Sequence, residues 1–343
     1  MKLNPFITKC VLAMVTVMLA VVSCSSSRPA TTSPTEPTKV TAGYVPILIY
    51  APFYIAKDKG YFQEASLDVT LEPLAGGADM LIQTAAGNFD VGAGGIGAAV
   101  FNAVAGGTQV RIVAPLHAER PPMTTALVTS KKAYDSGQIT KISDLKGKKV
   151  AINARGAATE FWLDAALKKG GLTINDIDLI ALAFPDIPAA LDNGAIAGAM
   201  LAEPLTTLSE QKGIVKVLSD DFLNNVQPTA VYFNPRFAAE KRAAGEAFLV
   251  AYLRAARDLN GDGWKKPENL AIINKYTRVP NEIIAAARAP YHDPNGTVNI
   301  TDLQKQQEFF AAQKQLTYTK MLDISSFVDT SFAKKAVQIL GKP

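Results

Sequence analysis

Three side chains that could bind or react with a small molecule come shortly after apolar, strand-like runs of this sequence. They are His117, Arg155 and Glu203. An imidazole, a guanidinium and a carboxylate in such positions could hydrogen-bond a solute or take part in proton transfer. The chain has two histidines and no G-x-S-x-G segment, so the set favours binding over catalysis. An exported hydrolase with a Ser–His–Asp set that uses His117 is the alternative from another class.

Glycines and aromatic residues supply the other candidate contacts. The pairs Gly76–Gly77 and Gly94–Gly95 precede helical patterns, where bare backbone N–H groups can approach a ligand oxygen. Aromatic residues crowd the same segments, and Tyr50 and Phe184, in predicted loops, are the better candidates for stacking on a ring. The candidate ligand-binding residues are Tyr50, Phe53, Gly76, Gly77, Gly94, Gly95, His117, Arg155, Phe184, Glu203 and Tyr232.

Two further patterns match cofactor or metal motifs only in part. Gly92–Gly97 fits G-x-G-x-x-G, but no clear acidic strand end follows about 20 residues later. Asp258–Asn269 begins like a calcium loop, yet its twelfth position is Asn269, which cannot supply the bidentate carboxylate. We therefore expect no dinucleotide, no other cofactor and no metal.

The N-terminus predicts export. Residues 1–23 combine two lysines, an apolar run and small residues, as a secretory signal does. The run at 11–22 is shorter than the about 20 residues of a membrane span. Val21–Cys24 resembles the lipobox of bacterial lipoproteins, with Cys24 as the acylated residue; a conventional cleavage site before Cys24 is the alternative. Residues 24–39, rich in Ser, Thr and Pro, predict a tether.

Composition after the signal excludes several classes of protein. Removing residues 1–23 takes two of the 35 Lys+Arg and leaves 33 against 31 Asp+Glu, or +2, which predicts no nucleic-acid partner. Cys24 is then the only cysteine, which excludes an internal disulfide and a cysteine-based metal cluster.

The body alternates strand and helix patterns from about residue 40. This order predicts an α/β fold with parallel sheets. A second unit begins near Thr124, and past Asn234 only helical patterns remain. We predict two lobes, residues 40–123 plus 235–343 and residues 124–234, with the C-terminal helices packing back on the first.

An ordered set of short segments resembles the nitrate, sulfonate, taurine and pyrimidine-precursor group of periplasmic binding proteins. The segments are Gly43–Pro46, Ala51–Ala56, Lys59–Phe62, Gly76–Gly77, Gly87–Gly92, Asp144–Val150 and Asp192–Ala199. The resemblance covers about residues 40–320. It implies a type II periplasmic-binding fold with a hinged cleft, and a monomer anchored outside the cell membrane that serves the permease and ATPase of an ABC importer.

The ligand is the least determined part of the prediction. Only Arg155 and Arg120 offer cationic donors for an anion, whereas aromatic loops with one carboxylate favour a neutral ring. We expect a vitamin-type heterocycle, such as riboflavin or a thiamine pyrimidine precursor. The pyrimidine-precursor members open with Trp-x-Pro-Asn, where this chain has Tyr44–Ile47. An alkylsulfonate, taurine or nitrate-type anion is the alternative ligand, and a signalling receptor the alternative to transport.

Overall fold

The computed structural model describes residues 36–74 and 79–343. The predicted signal segment, the lipidation residue Cys24, most of the tether and the pair Gly76–Gly77 therefore lie outside the described residues. In chain order the strands are β1 (Thr38–Tyr44), β2 (Leu67–Pro73), β3 (Val91–Gly95), β4 (Arg111–Pro115), β5 (Thr125–Ser130), β6 (Lys149–Ile152), β7 (Asp178–Ala181), β8 (Gly198–Ala202), β9 (Val215–Ser219) and β10 (Thr229–Phe233).

The α-helices, also in chain order, are α1 (Ala51–Asp58), α2 (Tyr61–Glu64), α3 (Met80–Ala86), α4 (Ala98–Ala105), α5 (Lys131–Asp135), α6 (Ala158–Lys169), α7 (Ile187–Asp192), α8 (Leu205–Gln211), α9 (Pro235–Glu240), α10 (Arg242–Leu259), α11 (Pro267–Thr277), α12 (Asn281–Ala286), α13 (Ile300–Ala312) and α14 (Ser331–Leu340). Short 3-10 helices cover Leu48–Tyr50, Ile142–Leu145, Ile174–Asp176, Phe184–Asp186, Gly261–Lys265 and Ile324–Phe327.

The strands form two five-stranded sheets of the same design. The first has the order β2-β1-β3-β10-β4, and the second has the order β7-β6-β8-β5-β9. In each sheet one strand runs antiparallel to its two neighbours, β10 in the first and β5 in the second. Both are the strands that the chain forms immediately after it passes from one sheet to the other.

Strand β10 corrects the predicted lobe boundary. The sequence prediction assigned Thr229–Phe233 to the second lobe and began the first lobe's return at 235. That assignment is wrong, because β10 pairs with β3 and β4 in the first sheet. All five of its residues are buried, as expected of a central strand covered on both faces. We therefore place the second passage between the lobes before residue 229.

The C-terminal helices pack on the first lobe, as predicted. Helix α10 carries a buried face along its length and packs on α1, α2 and α14. The preceding helix α9 is capped by Asn234, whose side chain accepts from the N–H groups of Arg236 and Phe237. Rings of Phe53, Phe233 and Phe248 fill the space between α10 and the sheet.

The second lobe has smaller cores on the two faces of its sheet. Trp162 and Leu163 of α6 cover one face, while Ile187 and Leu191 of α7 cover the other. Among the described helices, none combines the length and the apolar character that a bilayer span requires.

Candidate functional site

Two crossover segments, residues 116–124 and 220–228, join the lobes. They touch each other where Glu119 and Val226 form an isolated antiparallel bridge, with N···O distances of 2.8 and 3.3 Å. In open α/β sheets, ligands bind outside the carboxyl ends of the strands. We therefore expect the ligand in a cleft between the lobes, beside the segments that follow β1, β3, β6, β7 and β8.

The lobes are in direct contact at one side of this cleft, which we call the rim. The N–H of Ala98 donates to the carbonyl of Gly156 at 2.8 Å. A Cβ at Gly97 would lie 2.4 Å from the same carbonyl oxygen, so the approach requires glycine. The carboxylate of Glu160, 1% exposed, accepts from the Gln315 amide at 2.9 and 3.0 Å.

Two helices begin where the lobes meet, α4 in the first lobe and α6 in the second. Their N-cap residues are Gly97 and Ala157, and within the described chain no side chain caps either helix. Each helix N-terminus carries about half a positive charge. In the first turns the N–H groups of Ala98, Val100 and Glu160 already have protein acceptors. A ligand could therefore be bound by the N–H groups of Ala99, Ala158 and Thr159. The two ends therefore create a positive region at the rim.

Arg155 and Glu160 add opposite full charges to this region. The guanidinium of Arg155 donates to the carbonyl of Leu179 at 2.7 Å, lies 3.5 Å from the Glu160 carboxylate, and stays 55% exposed. Glu160 already accepts from the N–H of Gly156 at 2.7 Å as well as from Gln315. These two charges cancel, so the helix termini leave about one positive charge, which suits an anion.

The predicted first-lobe aromatic contacts lie in the core instead. Tyr50 is 1% exposed, and its hydroxyl donates to the carbonyl of Ala93 at 2.5 Å. Burial raises its pKa. Phe53 meets Tyr252 edge to face at 5.8 Å, and Tyr232 is also buried. None of the three offers a free ring face to a solute, because packing the sheet against α1 and α10 covers them.

His117 is a hinge residue. It is buried, its Nδ1 lies 2.7 Å from the Thr229 hydroxyl, and its Nε2 lies 3.5 Å from the Glu119 carboxylate. Glu119 in turn accepts from the N–H and the hydroxyl of Thr124. These contacts connect the first crossover to β10.

Glu203 is fully engaged within the protein. Its carboxylate accepts from the N–H of Thr207 at 3.1 Å and from the Arg288 guanidinium at 3.0 Å. Arg288 also pairs with Glu210 at 3.1 Å and Asp220 at 2.9 Å. The predicted ligand contact is therefore replaced by an ion network between the C-terminal segment of the first lobe, the second lobe and the second crossover.

The remaining predicted residues fall at the cleft edges or outside the described chain. Gly94 and Gly95 end β3, and a Cβ at Gly95 would meet no atom within 4 Å. Phe184 is half-buried and packs against the second lobe's own core. Gly76 and Gly77 lie outside the described residues.

The two motifs set aside from sequence have structural explanations. In Gly92–Gly97 the glycines permit close packing: a Cβ at Gly92 would collide with Thr84 and Tyr232, and Gly97 contacts the other lobe. The loop after Asp258 is a 3-10 turn, and Asp258 pairs with Lys59 at 2.6 Å. Among the described residues, no group of acidic, histidine or cysteine side chains forms a metal site.

Sequence reasoning missed Glu160, Arg288 and Gln315. Arg288 is separated from its partner Glu203 by 85 residues, and Gln315 from Glu160 by 155. No local pattern links such residues. Only the position of Glu160 in the first turn after Arg155–Ala157 could have drawn attention to it.

Comparison with known proteins identifies the relatives of this chain. The model of the NMT1-like family matches residues 33–276. The taurine-binding periplasmic protein of Escherichia coli K12 is 30% identical over 228 residues, which cover 65% of this chain and 68% of the relative.

Two solved structures share the fold across most of the chain. The periplasmic aliphatic sulphonate binding protein SsuA from Escherichia coli superposes with a TM-score of 0.72 at 20% identity, covering 87% of this chain and 99% of that one. The periplasmic nitrate-binding protein NrtA from Synechocystis PCC 6803 gives 0.70 at 16% identity and covers 90% of each chain. These similarities confirm the predicted two-lobed periplasmic-binding fold.

Proposed function

This chain belongs to the NMT1-like family, and from that premise we propose that it is the extracytoplasmic solute-binding subunit of an ABC importer. We further propose that its solute is a small organic anion of the sulfonate class, held in the cleft beside the rim. The permease and ATPase of the importer are the implied partners. We propose no catalytic activity, since His117 is held in the hinge.

The observation that carries the ligand class is the convergence of two uncapped helix N-termini at the rim. A sulfonate has three acceptor oxygens and no donor, so it matches unpaired N–H groups at a helix start. Arg155, whose side chain is more than half exposed, can add a charge-assisted hydrogen bond. Gly94 and Gly95 at the end of β3 remain proposed contacts of the same anion.

A ring-shaped vitamin is no longer the preferred ligand. That expectation rested on aromatic side chains in the cleft loops. Tyr50, Phe53 and Tyr232 are buried, and Phe184 packs on the second lobe's core. The named ligand of the 30% identical relative also supports an anion of the taurine and sulfonate type.

The proposed mechanism is closure around the solute. An anion that touches α4 and α6 together binds only when both lobes are near each other, so it favours the closed arrangement. The closed arrangement is then stabilised further by the rim hydrogen bonds between Ala98 and Gly156 and between Gln315 and Glu160. The importer would recognise the closed form.

Calorimetric titration of the purified body with taurine, ethanesulfonate, nitrate and riboflavin tests the ligand class. We expect saturable binding of a sulfonate and none of riboflavin. The Ala158→Asp variant places a carboxylate at the first residue of α6. The carboxylate interacts favourably with the positive N-terminus of the helix, so the fold should tolerate it. Because it repels an anion, we expect it to weaken sulfonate binding at least about tenfold, or about 1.4 kcal/mol.

The control is Thr330→Asp, which places the same charge at the N-cap of α14, a helix that packs on α10 and β4 of the first lobe. Equal affinities in Ala158→Asp and wild type would reject the anion site. Riboflavin binding without sulfonate binding would restore the ring ligand.

Export and lipid anchoring belong to the same proposal. Residues 1–23 would be removed, Cys24 acylated and residues 24–37 left as the tether. The predicted tether to residue 39 was two residues too long, because Thr38 and Lys39 pair with β2 in the first sheet. Mass spectrometry of the membrane fraction would detect the acyl groups. In a Cys24→Ser variant we expect them to be lost and the protein to leave the membrane; an unmodified Cys24 in the wild type would contradict the anchor.

A further inference from the structure

A cavity of about 740 Å3 lies beside the two crossovers, and we call it the hinge cavity. Its walls come from the first crossover, helix α8 of the second lobe, the end of α10 and residues 286–291, which we call the strap. Its volume is in the range of small-molecule sites, about 300–1,000 Å3. The rim helices α4 and α6 are absent from its described walls, so it is distinct from the proposed solute site.

The acidic side chains that line the hinge cavity carry surplus negative charge. Glu210 and Asp220 line it, and together with Glu203 they share the single guanidinium of Arg288. Three carboxylates against one cation leave two negative charges without a partner in the cluster. The side chains of Glu210 and Asp220 remain 34% and 28% exposed, so an incoming group can reach them.

The other charged groups of the cavity are basic. Arg120 donates to the Asn225 amide oxygen and stacks over the ring of Tyr291 at 3.3 Å, and neither partner neutralises its charge. Lys265 is exposed at the wall formed by the 3-10 turn after α10. Its neighbour Lys266 pairs with Asp258, whereas the described chain places no carboxylate in ion-pair contact with Lys265.

We propose that the hinge cavity is a second small-molecule site, which takes a zwitterion with an ammonium group and a carboxylate or sulfonate group. The ammonium would pair with Glu210 and Asp220, and the acid group with Lys265 and Arg120. A ligand with a single charge pairs with only the acidic residues or only the basic residues. It leaves the residues of the other sign partly desolvated without a partner. The two sets therefore select a dipolar molecule.

Occupancy of this site acts on the lobe arrangement, because its walls belong to both lobes. Helix α8 lies in the second lobe, and the strap and α10 belong to the first lobe. A ligand that touches both sides binds one lobe angle better than another. By linkage, it then changes the affinity of the cleft for its solute, and the solute changes the affinity of the hinge cavity by the same factor.

The two tryptophans of this chain allow a direct test. Trp264 lines the hinge cavity, and its indole N–H donates to the carbonyl of Ile284 at 3.0 Å. Trp162 lies in the core of the second lobe. We would follow both indole N–H signals by 15N NMR while adding β-alanine or 4-aminobutyrate, with propylamine and propionate as single-charge controls. At about 10 mM, a site with a Kd of 1 mM is about nine-tenths filled.

We expect at least one zwitterion to move the Trp264 signal saturably and to leave the Trp162 signal in place. The same titration of Glu210→Gln and of Lys265→Gln should show binding at least about tenfold weaker. Lys212→Gln, an exposed change next to α8 but outside the cavity, should bind as the wild type does.

Three results would overturn the second site. They are a Trp264 signal that no zwitterion moves, an equal shift from propylamine or propionate, and an undiminished shift in both Glu210→Gln and Lys265→Gln. Ethanesulfonate carries no ammonium group, so its calorimetric titration tests the cleft alone. The Trp264 titration tests the hinge cavity, and the two proposals can therefore fail independently.

Discussion

The hinge side and the rim both connect the two lobes, but through different kinds of contact. On the hinge side, two covalent crossovers, the strap and the partly buried ion network of Arg288 hold the lobes together. At the rim, contact depends on one backbone hydrogen bond, one amide–carboxylate pair and the edge-to-face rings of Phe161 and Phe309. The hinge side has more connections between the lobes, whereas the rim has few contacts, and we expect these to break and re-form as the solute leaves and binds.

Removing Arg288 is the strongest way to break the hinge side. In Arg288→Ala three carboxylates, among them the buried Glu203, lose their common cation. We expect the free energy of unfolding to fall by about 3–5 kcal/mol, as for other broken buried ion pairs. Denaturant titration followed by circular dichroism measures the change.

Arg242→Ala is the matched control for that variant. Arg242 also pairs with two carboxylates, but its side chain is 47% exposed. Exposed pairs contribute about 0–1 kcal/mol, so its loss should be small. Equal effects of the two variants would show that the hinge network is no stronger than a surface pair.

The hinge side should also make stability depend on pH. Burial, and then the neighbouring His117, lower the pKa of His292 to about 3, while a hydrogen bond to Leu116 opposes the shift. The neutral imidazole therefore stabilises the fold above its unfolded pKa of about 6.5, and this contribution is lost as the pH falls toward 3.

The expected slope is about 1.4 kcal/mol per pH unit between these two values. His292→Gln keeps a donor for the Leu116 carbonyl but cannot titrate. Its unfolding free energy, measured from pH 7 to pH 4, should lack that part of the slope. Parallel profiles for the variant and the wild type would mean that His292 does not titrate on unfolding.

A methyl group at Gly97 should break the rim without disturbing the hinge. In Gly97→Ala the new Cβ would lie 2.4 Å from the Gly156 carbonyl oxygen, so the lobes must separate. We expect solute affinity to fall about tenfold, or about 1.4 kcal/mol, with a larger radius of gyration in the presence of solute.

The control for this variant is Gly106→Ala at the other end of α4, where φ is −75° and an alanine is allowed. Scattering and calorimetry on both variants give the comparison. An unchanged affinity in Gly97→Ala would mean that rim contact contributes nothing to binding.

A negative charge at residue 315 should also weaken the rim contact, but with a smaller effect on solute affinity. In Gln315→Glu the amide that binds Glu160 becomes a second carboxylate, which disfavours the closed rim. We expect solute affinity to fall several-fold, with an unfolding free energy within about 1 kcal/mol of wild type. Gln313→Glu carries the same charge two residues away and should bind normally; an equal loss in Gln313→Glu would assign the effect to net charge alone.

More of the fold than of the candidate site could be predicted from the sequence. Strand–helix alternation and the terminating glycines produce periodic signals within ten or twenty residues, so the two α/β units and the helices packed on the first were predictable. Strand β10 was misplaced, because its apolar run has the same pattern in either sheet. For the site, the rule that ligands lie at strand ends found the segments after β3 and β6, but it could not tell which side chains there are already in use.

What the sequence determined by itself is local: the strands and helices, their apolar faces and the glycines that end them. The tertiary structure alone decided that Tyr50 lies in the core, that Glu203 pairs with Arg288, and that two helix N-termini meet at the rim. The physical reason is that burial and charge pairing depend on neighbours brought together from distant parts of the chain. The sequence determines the chemistry of each side chain, but the tertiary structure determines which group it contacts.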